Sequence, residues 1–311
     1  MKARMTHAFL VGALFCVPPA FCQSANDEVA QARTLVKANK LLDAESLLRQ
    51  TVQRDAKSAD AHFLLGYVLF REQKPKESLA EFTAGAQVRR PDADDFRVIA
   101  SDYVLLADYA DAEKWFAEVA RQRPNDSMAW YLLGRAQYNE DHFKAAIASF
   151  ERALALRPQY IEAENNLGLA WQGLNDPAQA LAAYRTAVTW QQDHPADAQP
   201  YLNLGALLTD QNQAEQALPY LHTAARLAPQ NPKVHEELGR AYDARHELPQ
   251  AQHELEQAAA LAPSASGLHF KLGQIYRREG MRDRAEQEFA ICAKLNSTHS
   301  SMATPNPYTP N

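Results

Sequence analysis

Ten histidines, the lone cysteine beyond residue 22 and a knot of charge at Glu236, Glu237, Arg240 and Asp243 are the residues of this 311-residue sequence whose types could carry chemistry. Imidazoles three or four residues apart on a helix can share a zinc ion, and paired carboxylates can divide acid and base work. No two of the histidines have that spacing, and His62, His235 and His269 instead occupy one slot of a repeating pattern that also holds Trp130 and Tyr201, so they are expected to pack. Glu236 and Arg240 stand four apart, the spacing of a surface ion pair worth about 0.2–0.5 kcal/mol. Cys292 falls where other repeats carry Ala153, Ala187, Ala224 and Ala258, which argues for a buried, inert thiol. No phosphate-cradling glycine loop and no Ser, His and Asp arrangement can be assembled along the chain. The expectation is a protein with no catalytic, cofactor or metal residues.

What positions these residues is legible in WYLLGRAQYNEDHFKAAIASFERALALRP, from Trp130 to Pro158. Apolar residues recur at three- and four-residue spacing in two blocks separated by Asn139, Glu140 and Asp141, which reads as two amphipathic helices joined by a tight turn. The same stretch returns along the chain. A small residue stands at Ala32, Gly66, Ala100, Gly134, Gly168, Gly205, Gly239 and Gly273, spaced 34 residues apart except once, where the spacing is 37. A second small residue follows at Ala44, Ser78, Ala112, Ala146, Ala180, Ala217, Ala251 and Ala285, and four residues later a large one, from Leu48 and Phe82 to Leu255 and Phe289. Two helices cross closely only where a side chain is small, and the large residue one turn on fills the space the crossing leaves.

With Trp130, Leu133, Gly134, Ala146, Phe150, Ala153 and Pro158, the pattern resembles the tetratricopeptide repeat; Gln137 departs from it where Tyr103, Tyr242 and Tyr276 stand in other units. Eight units fit, at residues 25–58, 59–92, 93–126, 127–160, 161–197, 198–231, 232–265 and 266–297. The resemblance implies an all-α, right-handed solenoid of stacked helical hairpins, with the first helices lining a concave groove. Glu28 and Gln31 in the first unit, and Glu286 and Gln287 in the last, are expected on solvated caps. Residues 191–197 lengthen one loop, as a tolerated insertion, a hinge or a partner contact. From Thr298 the tail has three prolines and no periodicity, so residues 298–311 are expected to be disordered.

Residues 1–22 differ from the rest. Lys2 and Arg4 precede an apolar run from Ala8 to Val17, then Pro18, Pro19 and small residues, which resembles a bacterial secretory signal peptide cleaved after Cys22. Ten apolar residues fall short of the roughly 20 that span a bilayer, so no stable membrane span is expected. An exported, periplasmic or extracellular protein follows, with lipidation of Cys22 as the alternative; Phe21 before it is unlike the usual acylation site. Losing two cations with the leader leaves 30 basic against 38 acidic residues and moves the charge from -6 to -8, which offers no footprint for nucleic acid.

The resemblance turns one face of each first helix toward the groove. That face carries Phe63, Tyr67 and Phe70, then Arg97, then Tyr131, Arg135 and Tyr138, then Asn165, Asn166 and Asn203. Aromatic and Arg side chains anchor protein interfaces, and amides can bond the backbone of an extended peptide. The Lys, Asn and Arg clamp with which many family members hold acidic C-termini does not assemble, since Glu237 stands beside Lys233 where a companion is needed. The expected function is a non-enzymatic scaffold of the bacterial envelope that binds a protein or extended peptide. Alternatives are a subunit of an exopolysaccharide or protein secretion complex, and a polysaccharide-handling or other envelope enzyme working through Glu236.

Overall fold

The computed structural model describes residues 24–302, with side chains described through Ser297. The expected signal peptide therefore lies outside the described residues. Sixteen helices make up the described chain, with no strand among them: α1 (Ala25–Lys37), α2 (Leu41–Arg54), α3 (Ala59–Arg71), α4 (Pro75–Ala86), α5 (Ala93–Leu105), α6 (Tyr109–Gln122), α7 (Ser127–Asn139), α8 (Phe143–Leu156), α9 (Ile161–Gly173), α10 (Pro177–Trp190), α11 (Ala198–Asp210), α12 (Ala214–Leu227), α13 (Pro232–Ala244), α14 (Leu248–Leu261), α15 (Ser266–Arg278) and α16 (Arg282–Met302). The chain separates into two compact bodies, one ending at Leu106 and one beginning at Ala107, so the division falls inside the third sequence repeat rather than between repeats. The first body holds α1 to α5 and the second α6 to α16. Neighbouring odd-numbered helices from α1 to α5 and from α7 to α13 lie side by side, and even-numbered helices pack against the odd helices that precede and follow them in the same body. This is the all-α repeat solenoid that the resemblance implies.

The small and large slots do what their volumes dictate. A Cβ on Gly134 would sit 2.7 Å from the Phe150 ring, and one on Gly66 the same distance from Phe82. The hairpins end in a device the sequence announces only in part, through Asn39, Asp141, Asn175, Asn212 and Gly280. One residue per turn adopts the left-handed conformation, from Asn39 at φ 56° to His246 at φ 61°, and only the last of them, Gly280, is glycine. In the first turn Lys40 N donates to Leu35 O and Asn39 N to Val36 O, the paired bonds that close a helix end when the next residue is left-handed.

Three expectations are corrected. Glu28 is buried, 6% exposed, because Thr51 Oγ1 donates to it at 2.7 Å and Arg54 pairs with it; these bonds hold its carboxyl below the usual range. Gln31 is exposed as expected. Cys292 is partly exposed, since among the described residues α16 packs mainly against α15. Helix α16 continues to Met302, so residues 298–302 are helical rather than disordered; residues 303–311 lie outside the described residues. Gln137, the departure from the tyrosine slot, is buried and accepts from Ser149 Oγ at 2.7 Å.

One buried pair in the first body carries a proton that can be counted. Ser78 Oγ lies 2.8 Å from Gly66 O and 2.5 Å from Asp102 Oδ2, and a hydroxyl has a single hydrogen. Both contacts are satisfied when Asp102 carries a proton and donates to Ser78, which donates to Gly66. Asp102 is fully buried with no cation beside it, and burial pushes its carboxyl up to about 7.

Candidate functional site

In the first body, α1, α3 and α5 enclose a cleft of about 590 Å³. Phe63 forms its floor. It is only 4% exposed, stacks on Phe82 with centroids 5.8 Å apart, and is covered by Arg89 at 4.8 Å. Tyr67 lines the wall half-buried, and Arg71 Nη1 donates to its hydroxyl at 3.0 Å. Arg97 reaches the same cleft and pairs with Asp94 at 3.0 Å, while Arg89 pairs with Asp60 at 3.0 Å. Asp92 and Asp95 close a capping box at the start of α5. Phe70, half-buried, lies outside the cleft lining.

Among the lining residues outside the sequence reading are Arg89 and two cations of α1. Arg33 and Lys37 stand one turn apart on α1, and neither is ion-paired with a described residue. Arg33 follows Ala32 as Tyr67 follows Gly66 and Arg135 follows Gly134, so the slot arithmetic already contained it.

In the second body, Tyr131 packs between Phe150 at 6.2 Å and Tyr160 at 5.0 Å, with Arg135 5.8 Å above its ring; burial pushes its hydroxyl up. Tyr138 packs on Phe143 at 5.7 Å. These two aromatics are half-buried packing residues, and Arg135 is exposed. The asparagines bond to their neighbours: Gln199 Nε2 donates to Asn203 at 2.8 Å, Asn203 Nδ2 donates to buried Asn165 at 2.9 Å, and Asn166 Nδ2 donates to Glu162 O at 2.6 Å. The structure thus gathers Phe63, Tyr67 and Arg97 at one cleft, and links Asn165 with Asn203 directly.

The slot of His62 is a hydrogen-bonding position as well as a packing one. Trp130 Nε1 donates to Pro124 O at 3.0 Å, and the Nε2 atoms of His62, His235 and His269 meet Ala56 O, Pro229 O and Pro263 O, each six residues earlier. Each of the three imidazoles also meets a glutamate 19 residues on, Glu81, Glu254 or Glu288, through Nδ1. In the fifth repeat the slot holds Glu164, whose carboxyl burial alone raises to about 7. Further on, Glu237 is 1% exposed and bonded by Lys233 at 2.9 Å and Arg240 at 2.6 Å. Glu236 is gripped by Lys233 at 2.9 Å and by Lys271; burial opposes ionisation, but the two ammonium groups outweigh it and lower the carboxyl.

The family model described as the tetratricopeptide repeat matches residues 29–94, 98–161, 165–232 and 236–294. Protein FlbA of Caulobacter vibrioides is 28% identical over 139 residues, 44% of this chain and 22% of that protein. A chloroplastic tetratricopeptide repeat domain-containing protein of Arabidopsis thaliana, PYG7, is 23% identical over 55% of this chain and 60% of its own. The chain thus spans less than two thirds of the length of either relative. Among solved structures, a tetratricopeptide repeat protein from Parabacteroides merdae superposes with a TM-score of 0.64 at 15% identity, covering 81% of this chain and 99% of that one. YrrB, described as having an unusual peptide-binding site, gives 0.52 at 22% identity over 55% and 88%. PilW, described as a widely conserved type IV pilus biogenesis factor, gives 0.56 at 21% identity over 70% and 94%. At these identities the structures share the fold.

Proposed function

The chain belongs to the tetratricopeptide repeat family, and from that membership we propose that it is a non-enzymatic scaffold of the bacterial cell envelope that holds a protein or extended peptide in the cleft of its first body. The observation that carries the reading is the cleft between α1, α3 and α5, where an aromatic floor and wall, Phe63 and Tyr67, adjoin two cations, Arg33 and Lys37, without ion-pair partners. Aromatic anchors beside open charge are the usual composition of a protein-binding surface. The amides of Asn165 and Asn203, bonded to each other, would have to exchange partners to hold a peptide, which places them second.

Export rests on the leader read at residues 1–22, and N-terminal sequencing of the protein from a bacterial host tests it: retained Met1 refutes export, and a modified Cys22 makes it a lipoprotein. A role in a secretion or surface-assembly complex draws support from the description of PilW as a pilus biogenesis factor, a protein of the same fold. The enzyme alternative loses its residue, because a carboxylate held by two lysines is a poor proton donor or acceptor. Co-purification of the mature chain should retrieve a partner that Tyr67→Ala with Lys37→Ala releases; undiminished retention in that variant refutes the cleft assignment.

A further inference from the structure

The single departure from the 34-residue period builds a second cleft, in the second body and on the outer helices. Residues 191–197 separate α10 from α11, and the loop is pinned rather than loose. Gln191 is 5% exposed; its Oε1 accepts from Ala196 N at 3.2 Å and Asp197 N at 3.0 Å, and its Nε2 donates to Asp197 O at 3.1 Å. One buried side chain closing three bonds onto the loop's far end fixes it, which argues against a hinge.

The fixed loop presents Gln192 and Pro195 to a cleft of about 480 Å³ between α10 and α12. Its apolar lining includes Val188, Leu204 and Pro219, and Pro219 inside α12 has no backbone N–H to hold the helix regular there. Its only charged lining residues are Arg185 and Arg226. Both are exposed, neither is ion-paired with a described residue, and no carboxylate lines the cleft. Tyr220, Thr189 and Thr223 add hydroxyl groups. In a chain of formal charge -6, where arginines such as Arg49, Arg89 and Arg240 face an acid, two unanswered guanidinium groups over an apolar floor form a local positive site.

We propose that this outer cleft docks an acidic segment of a partner protein, its carboxylates on Arg185 and Arg226 and an apolar side chain on Val188 and Pro195. Guanidinium pairs with carboxylate through two parallel hydrogen bonds, so each arginine suits one acidic side chain. Two single guanidinium groups on different helices, rather than several donors around one point, fit charges carried at successive positions of a chain. The site is distinct from the inner cleft, and the two stand or fall separately.

A fluorescein-labelled octaglutamate peptide is the probe, with anisotropy read on the full chain at low salt. Saturable binding is expected. It should weaken at least tenfold in the double variant Arg185→Gln with Arg226→Gln, fall with added salt, and stay within twofold of wild type in Lys144→Gln with Arg282→Gln, which removes two exposed cations that line neither cleft. Circular dichroism should show both variants fully helical, since all four side chains are exposed. Gln191→Ala, which frees the loop without touching either arginine, should weaken binding by a smaller factor. Absence of saturable binding overturns the proposal, as does a loss in the Lys144 and Arg282 variant equal to that in the Arg185 and Arg226 variant. Inorganic phosphate binding at these arginines in place of the peptide also overturns the assignment to an acidic segment.

Discussion

The inner helices of the first body and those of the seventh and eighth repeats are built on the same pattern and carry similar numbers of charges, yet they use them in opposite ways. Around α13 the charges answer one another: Asp210 with Arg240, Arg240 with Glu237, Glu237 with Lys233, Lys233 with Glu236, Glu236 with Lys271, and Asp243 with Arg278. At the first-body cleft Arg33 and Lys37 are left over beside Tyr67. Charge on a repeat face is structural where the neighbouring repeat supplies its counter-charge, and is open to a ligand where it does not.

The contrast breaks most visibly at Glu237. Removing the 1% exposed carboxylate by Glu237→Ala empties its buried site and takes one of two acids from each of Lys233 and Arg240, which keep Glu236 and Asp210, and urea denaturation should show a loss of about 2–3 kcal/mol. The corresponding change in the first body, Lys37→Ala, should leave the denaturation midpoint within about 0.5 kcal/mol of wild type. Equal effects would erase the distinction between structural and open charge.

Next in size is pH. Asp102 and Glu164, one in each body, both sit at about 7, above their ordinary 3.8 and 4.5. The native state therefore holds protons that the unfolded chain has released between roughly pH 4 and 7. Their contribution to stability is fully present below that window, falls by at most about 1.4 kcal/mol per pH unit for each group as pH rises through it, and is level above about 7. Thermal melts at pH 5.5 should exceed those at pH 8. Asp102→Asn, which keeps a donor to Ser78 without a charge, should flatten the first body's share of that slope; an unchanged slope would mean Asp102 is already ionised.

Gly134→Ala should cost about 1–3 kcal/mol by pressing a methyl group into Phe150, read from the same urea curves. The smallest effect is a gain: Gln73→Gly and His246→Gly, at φ 61° each, should stabilise by about 0.5–1 kcal/mol by relieving left-handed strain, seen as a higher melting temperature.

The repeat was legible because steric complementarity leaves residue types at fixed intervals: Gly134 needs Phe150 whatever surrounds them. The left-handed turns were legible only in part: Asn39, Asp141, Asn175, Asn212 and Gly280 are types that tolerate that conformation, whereas Gln73 and Ala107 adopt it because the capping bonds and the helix that follows require it. Glu28 misled for a similar reason. An acid in an aromatic slot reads as solvated until Thr51 and Arg54, 23 and 26 residues away, are seen to reach it. Ser78 and Asp102 are the same case, 24 residues apart. At the candidate site, Tyr67 and Arg97 follow from the slot arithmetic; Phe63 follows too but is floor rather than anchor, and Arg33 occupies the same slot in a first repeat that reads as a cap.

The most direct test replaces Tyr67 with a photo-crosslinking phenylalanine analogue in the full chain and irradiates it in a bacterial host, with the same analogue at exposed Arg282 on α16 as the reference. A discrete protein adduct at position 67 that disappears when Arg33→Glu and Lys37→Glu are added is the expected result. Adducts at both positions alike, or at 67 regardless of those charges, would contradict a first-body cleft that binds a partner.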